Sequence, residues 1–156
     1  MPDYPDFTQY AYIDIIAQSI DRVLARPTYG GAQVSTVVKA ADALADTEYI
    51  AVAGEGMIYG GCIAVWGGMT QEDCMWLSKI DGNDQCPAPF NVLATFNMGQ
   101  PHGTSPIMTR YDMVNFQYGF ILPYGITFEE SAIFSYREAH GDTPMVLMVM
   151  TYALVE

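Results

Sequence analysis

The chain has 156 residues, of which 51% are hydrophobic and 13% aromatic, so it is long enough for one domain with a substantial core. Its 18 acidic residues outnumber its 6 basic residues, and the net charge of −12 argues against a nucleic-acid partner, which would require clustered Lys and Arg. The same charge disfavours binding to an anionic membrane surface. Only 15% of the residues are charged, against roughly 25% in soluble domains, so part of the surface is predicted to face another protein chain.

The first segment is predicted to be an amphipathic helix over residues 7–25. Four apolar residues recur at helical spacing and form one stripe, with Asp14, Gln18 and Asp21 between them. Pro27 and the glycines that follow it end the pattern. Residues 1–31 are therefore predicted to form an N-terminal helical arm, which presents its stripe to a partner or to its own domain. The stripe consists of Ile13, Ile16, Ile20 and Leu24.

The rest of the chain, residues 32–156, is predicted to be one mainly β domain. Short runs rich in Val, Ile, Tyr, Phe and Thr alternate with Gly, Pro, Asn or Asp, which is typical of antiparallel strands in a sandwich or barrel. Asp81-Gly82 is a dipeptide suited to a hairpin turn with positive φ, and Gly54-Glu55-Gly56 suggests a tightly bent junction between strands. The predicted strands are 33–40, 47–53, 57–66, 73–80, 90–97, 112–121, 124–129, 131–138 and 145–155.

The last predicted strand is apolar on both faces, unlike the strand at 112–121, which alternates apolar and polar residues. A strand of this kind is expected to be buried on both sides. In a two-layer sandwich the second covering must come from the N-terminal helix or from another subunit. Together with the helix stripe, this strand supplies the predicted interface residues Met145, Leu147, Val149 and Met150.

The sequence offers no recognisable catalytic or metal site, so we predict a protein that is not an enzyme and has no cofactor. His102 and His140 lie far apart in sequence and outside any nucleophile motif, which disfavours both a catalytic triad and a cupin-type metal site. The adjacent carboxylates at Glu72-Asp73 and Glu129-Glu130 are interpreted as solvated turns. The three cysteines lack metal-ligand spacing and are predicted to be buried, reduced and structural; they are Cys62, Cys74 and Cys86.

A stretch without periodicity, residues 97–109, is predicted to be an exposed loop between strands. Loops on β-scaffolds are common sites of recognition. Its candidate recognition residues are Gln100, His102, Thr104 and Ser105.

The order of motifs over residues 47–156 resembles that of jelly-roll structural proteins of tailed bacteriophage particles. The segment TEYIAVAGEGMIYGGCIAVWGGMTQEDCMWLSKIDGN has an apolar strand ending in G-x-G, a second strand, a polar turn and a strand ending in I-D-G. Two further segments near the C-terminus, YGITFEESAIFSYRE and TPMVLMVMTYALVE, extend the similarity. The residues that carry it are Gly54, Gly56, Ile80, Asp81 and Gly82, and they imply an architecture rather than a functional site.

The resemblance implies an antiparallel jelly-roll sandwich that serves as a capsid decoration, collar or fibre-base component, made in the host cytoplasm and assembled into the virion. We expect a homo-oligomer, with a trimer as the leading hypothesis, whose other partners are virion proteins such as the major capsid protein. The abundance of Tyr and Met is consistent with such interfaces. The alternative is a glycan- or receptor-binding module of a phage spike or fibre.

Overall fold

The computed structural model describes residues 28–68, 71–85, 88–95 and 106–156, and within them it contains ten strands and one helix. The prediction of a mainly β protein is confirmed. The strands are β1 (Gln33–Ala40), β2 (Asp46–Ala53), β3 (Gly56–Trp66), β4 (Met75–Ile80), β5 (Asn83–Gln85), β6 (Ile107–Asp112), β7 (Gln117–Leu122), β8 (Ile126–Phe128), β9 (Ser131–Arg137) and β10 (Met145–Leu154), and the helix is α1 (Phe90–Thr95).

The strands form two antiparallel sheets in two layers. The first sheet has the order β1-β10-β3-β7-β6, and β8 also pairs with β3. The second sheet has the order β2-β9-β4-β5. Strands β1 to β4 therefore alternate between the layers, and the tight junction predicted at residues 54–56 is the crossing from β2 to β3. Gly54 adopts a φ of 105° at this crossing, a conformation that glycine tolerates and side chains disfavour.

The core lies between the two sheets and is rich in aromatic side chains. The ring centroids of Phe90 and Phe120 are 4.6 Å apart, and those of Trp76 and Tyr136 are 5.3 Å apart. Each sheet contributes to this cluster, since Phe120 lies on β7 whereas Trp76 and Tyr136 lie on β4 and β9. Burial of this much apolar surface is the main force that holds the layers together.

The hairpin predicted at Asp81-Gly82 is confirmed. Ile80 pairs with Asn83, and the two residues between them have φ values of 49° and 74°, as a two-residue hairpin turn with positive φ requires. The Asp81 carboxylate also accepts backbone hydrogen bonds from Glu130 at 2.7 Å and Glu129 at 2.9 Å. These hydrogen bonds lower the pKa of Asp81. The turn thus anchors the crossing from β8 to β9.

The strand predicted at residues 90–97 is wrong, because the chain forms α1 there. Pro89 precedes the helix, where its missing N–H costs nothing, and the Leu93 N–H donates to the Pro89 carbonyl over 3.1 Å. Phe90 and Leu93 are both buried, at the i, i+3 spacing of one helix face. The apolar run at this position therefore follows a helical period that is too short to recognise against the β pattern on either side.

The strand predicted at residues 112–121 is partly wrong, because a turn over residues 113–116 separates β6 from β7. The Asp112 carboxylate accepts hydrogen bonds from the backbone N–H groups of Val114 at 3.2 Å and Asn115 at 3.0 Å. This local capture of backbone donors competes with strand pairing. Val114 is consequently exposed. The first three residues of β6, 107–109, were predicted to be part of a loop.

The predicted N-terminal helix lies outside the described residues. The first residues that the structure describes continue the line of β1 beside the end of β10. The Gly30 N–H donates to the Leu154 carbonyl over 2.7 Å, and the Glu156 N–H donates to the Thr28 carbonyl over 3.0 Å. Thr28, the first described residue, therefore lies at the end of the first sheet, beside Glu156.

Replacing Phe90 by Ala is expected to lower the free energy of unfolding by about 3–5 kcal/mol, because it removes a fully buried ring and leaves a cavity. Chemical denaturation of the full chain measures this change. The control is Val92→Ala, a change on the same helix at a half-buried position. An equal loss in both variants would contradict the role assigned to Phe90 in attaching α1 to the core.

Candidate functional site

The outer face of the first sheet is the most unusual surface in the part of the chain that the structure describes. Opposite residues of antiparallel strands share a face, so the pairing register identifies which side chains point away from the core. On the four strands β1, β10, β3 and β7, the outward residues include no charged side chain. They are Val34, Thr36, Val38, Ala40, Met145, Leu147, Val149, Thr151, Gly60, Cys62, Ala64, Trp66, Gln117, Gly119 and Ile121.

Several large apolar side chains on this outer face are exposed to solvent. Val34 is 66% exposed, Val38 is 54% exposed and Ile121 is 47% exposed. Trp66, at 38%, adds an aromatic ring at the far end of β3. A contiguous apolar patch of this kind on a small protein indicates an interaction surface rather than a solvated one.

The outer face of the second sheet has the opposite character. The Arg137 guanidinium forms a paired interaction with the Asp46 carboxylate, with N–O distances of 2.6 and 2.7 Å. Lys79 and Asp84 form a second ion pair at 3.5 Å. These residues, with Glu48, line a shallow groove of about 510 Å³. The second sheet's outer face therefore carries charged side chains, whereas the first sheet has little charge except at its edge, where Arg110 and Asp112 pair on β6.

A recess interrupts the first sheet's outer face where β3 bends. The register of β3 against β10 shifts at this point, and Gly60 adopts a φ of 126°. Because Gly60 has no side chain, a wide and open recess lies over it, bordered by Ile121 and Thr151. The rings of Tyr59 and Tyr124, which line it, have centroids 6.0 Å apart.

The predicted interface residues on β10 divide between the two sides of the sheet. Met145, Leu147 and Val149 are half-buried on the outer face, beside Trp66 and the small residues of β3. Met150 points the other way and is completely buried in the core, so we correct the prediction and leave it out of this surface. The predicted helix stripe and the candidate recognition residues Gln100, His102, Thr104 and Ser105 lie outside the described residues.

The sequence analysis missed the contribution of β1 and β7 to this surface. Val34 and Val38 alternate with Ser35 and Val37, and this weak pattern did not show which side would face the core. Ile121 lies on β7, on the face opposite to the buried Tyr118 and Phe120. The position of these strands next to β10 makes the apolar side chains continuous, and the sequence alone contains no signal for that adjacency.

The cysteines do not share one environment, contrary to the prediction. Cys74 is fully buried, and burial raises the pKa of its thiol, as expected of a structural cysteine. Cys62 is exposed on the first sheet's outer face, between Val149 and Ile121, so for this residue the prediction is wrong. Cys86 lies outside the described residues.

A buried carboxylate, Glu138, joins two loops at one end of the sandwich. Its oxygens accept hydrogen bonds from the backbone N–H groups of Leu44 at 2.8 Å, His140 at 2.7 Å and Gly141 at 2.7 Å. Burial acts to raise the pKa of Glu138, but these backbone hydrogen bonds outweigh burial and lower it. Since the side chain is only 1% exposed, it stabilises the loops and is closed to a substrate in this conformation.

The described residues contain no cluster of three or more His, Cys, Asp or Glu side chains arranged to hold a metal ion. None of the helices in the described part of the chain combines the length and apolar character needed to cross a membrane. Comparison with protein-family models and with curated proteins finds no match to this chain.

Replacing Glu138 by Gln is expected to destabilise the protein at pH 7 by on the order of 2 kcal/mol, because buried backbone donors lose a charged acceptor. The pKa of Glu138 is lowered in the folded state, so its stabilisation is present above the unfolded value of about 4.3 and is lost as the pH falls through the folded value. The difference between parent and variant should therefore shrink below about pH 4.

Thermal unfolding of both proteins between pH 3 and pH 7 measures this difference. The control is Glu130→Gln, which changes an exposed carboxylate and should leave stability nearly unchanged across the range. A stability difference for Glu138→Gln that does not depend on pH would contradict the role of the ionised carboxylate.

Proposed function

We propose that this protein is a non-enzymatic structural component of a bacteriophage particle that assembles as a cyclic homo-oligomer through the first sheet's outer face. The observation that carries the proposal is the difference between the two outer faces, one charged and the other apolar. Exposed Val34, Val38 and Ile121 would each lose water on association. Burial of apolar surface stabilises association as it stabilises a core, and most soluble oligomers are symmetric assemblies of one chain.

We further propose that the two layers form a jelly roll, as the sequence resemblance implies. The pairing order supports this: β1 pairs with β10, β2 with β9, β3 with β7 and β8, and β4 with β5. These nested pairs correspond to one long antiparallel hairpin whose tip is the β4–β5 turn. The hairpin is rolled up, so that successive pairs lie alternately in the first and the second sheet. Jelly rolls are double-sheet folds that recur in viral capsid proteins.

The edge of the first sheet adds to the argument for assembly. Strand β1 pairs with β10 on one side, and within the described part of the chain its other side is an edge; six of its eight residues are exposed. A long edge strand rich in β-branched residues promotes pairing with other chains unless it is protected. Lys39 is the charged residue that β1 supplies, and it is positioned over the ring of Tyr49 rather than on the outer face.

Introducing two charges on the apolar face, with Val38→Lys and Ile121→Lys together, is expected to convert the oligomer into monomers, because the lysines would have to be desolvated in the interface. Light scattering at micromolar concentration measures the mass, and the parent is expected at a multiple of 17.2 kDa. The matched control is Ala51→Lys with Ala53→Lys, which places the same charge on exposed β2 positions of the second sheet.

A monomeric parent would contradict the proposed assembly, and so would dissociation of the control to the same extent as the face variant. The assignment to a phage particle is tested separately by the neighbouring genes. Adjacent genes for capsid or tail proteins are expected, and a location among metabolic genes would argue against a virion protein.

A glycan-binding module is the second candidate, and the recess between Tyr59 and Tyr124 favours it. Tyr124 is 75% exposed, and aromatic rings beside an open recess offer stacking surfaces to a sugar. The two candidates exclude each other at this site, because neighbouring copies that cover the first sheet would close the recess.

Titration with bacterial surface polysaccharides is expected to leave the fluorescence of Trp66 unchanged if the first sheet is covered by other copies. Trp76 is buried in the core and serves as an internal reference. Saturable quenching that disappears in the Tyr124→Ala variant would instead favour the glycan-binding module and count against assembly through this face.

A further inference from the structure

Resting on the proposed assembly, we propose that the N-terminal segment of one copy, residues 7–25, covers the first sheet's outer face in a neighbouring copy. The segment has an apolar stripe of four residues at helical spacing, and the outer face is an apolar surface with no cover inside the described part of its own chain.

The dimensions of the segment and the face agree. A helix over residues 7–25 would be about 28 Å long at 1.5 Å per residue. The outer face extends along the ten residues of β10, a length of about 33 Å at 3.3 Å per residue. The helix would therefore reach along most of the strand direction without projecting past the sheet.

The shape of the face also suits an apolar helix stripe. The outward residues of β3 in the middle of the sheet are small, namely Gly60, Cys62 and Ala64, whereas Leu147 and Val149 on β10 are larger. The side chains along β3 are therefore shorter than those beside them on β10, and the row of small residues ends at the recess over Gly60. A row of branched side chains such as Ile16 and Ile20 would pack over these small residues and replace water on both surfaces.

The position of Thr28 favours the neighbouring copy over the same chain. Residues 28–30 follow β10 to its last residues, so the chain leaves the sheet at its end and along the strand direction. The residue before a proline is disfavoured in the helical region and tends to be extended, which applies to Arg26 before Pro27. An immediate reversal onto the chain's own sheet would have to be made at this restricted dipeptide.

The native thiol of Cys62 provides the test, because it lies at the centre of the face that the segment would cover. In the full chain carrying Cys86→Ser, the rate of maleimide labelling of Cys62 is measured by mass spectrometry of the peptides. Cys74 is completely buried and must stay unlabelled in every variant, which confirms that the sandwich remains folded.

Replacing Ile16 and Ile20 together by Asp is expected to raise the Cys62 labelling rate by about tenfold or more, since a covered thiol reacts only after local opening. The matched control is Gln18→Asp with Ser19→Asp, which adds the same two charges beside the stripe and should leave the thiol protected. In the parent, protection is expected to fall on dilution, because the covering segment belongs to another copy.

Molecular mass measured on the same samples separates failure of this inference from failure of the proposed function. An oligomeric parent in which Cys62 is labelled equally in all variants, or stays protected in all of them, overturns the inference and leaves the assembly intact. A monomeric parent overturns the assembly itself. Protection that is independent of concentration but lost in the Ile16 and Ile20 variant overturns the exchange between copies, because the segment would then cover its own sheet.

Discussion

The rest of the structure depends on one constraint, the position of a strand that is apolar on both faces inside a fold of two layers. Strand β10 lies between β1 and β3 in the first sheet, and its inward residues Val146, Met148 and Met150 are completely buried. The second layer can cover only that side. Its outward residues, Met145, Leu147 and Val149, are left half-buried, and the neighbouring strands extend them into a continuous apolar face.

Charged side chains are distributed unequally between the two outer faces. The ion pairs of Asp46 with Arg137 and of Lys79 with Asp84 lie on the second sheet's outer face, and Glu138 uses its charge internally to hold two loops. A chain with only 15% charged residues cannot solvate two broad sheet faces equally well. The first sheet's outer face is the one without charged side chains on β1, β10, β3 and β7. This is the physical basis for proposing that this face contacts protein.

Three positions show which local structures could be predicted from the sequence and which could not. Asp81-Gly82 formed the predicted hairpin because its backbone requirement is local and few residues satisfy it. The first part of the strand predicted at residues 112–121 is a turn instead, because the Asp112 carboxylate binds backbone donors there, and side-chain alternation contains no information on that competition. Glu138 stands at the end of a predicted strand with no sequence signal for burial, yet it is buried, because donors from distant Leu44 and nearby Gly141 converge on it only in the folded chain.

The sequence by itself determined the mainly β class, most strand positions and the unusual apolar character of the last strand, because these follow from the period and composition of short segments. Only the tertiary structure decided that Val38, Leu147, Cys62 and Ile121 lie on one surface, since they come from four strands brought together by pairing between distant parts of the chain. Side-chain alternation specifies that a strand has two faces. Which face is left without cover depends on the layer that packs against the other side.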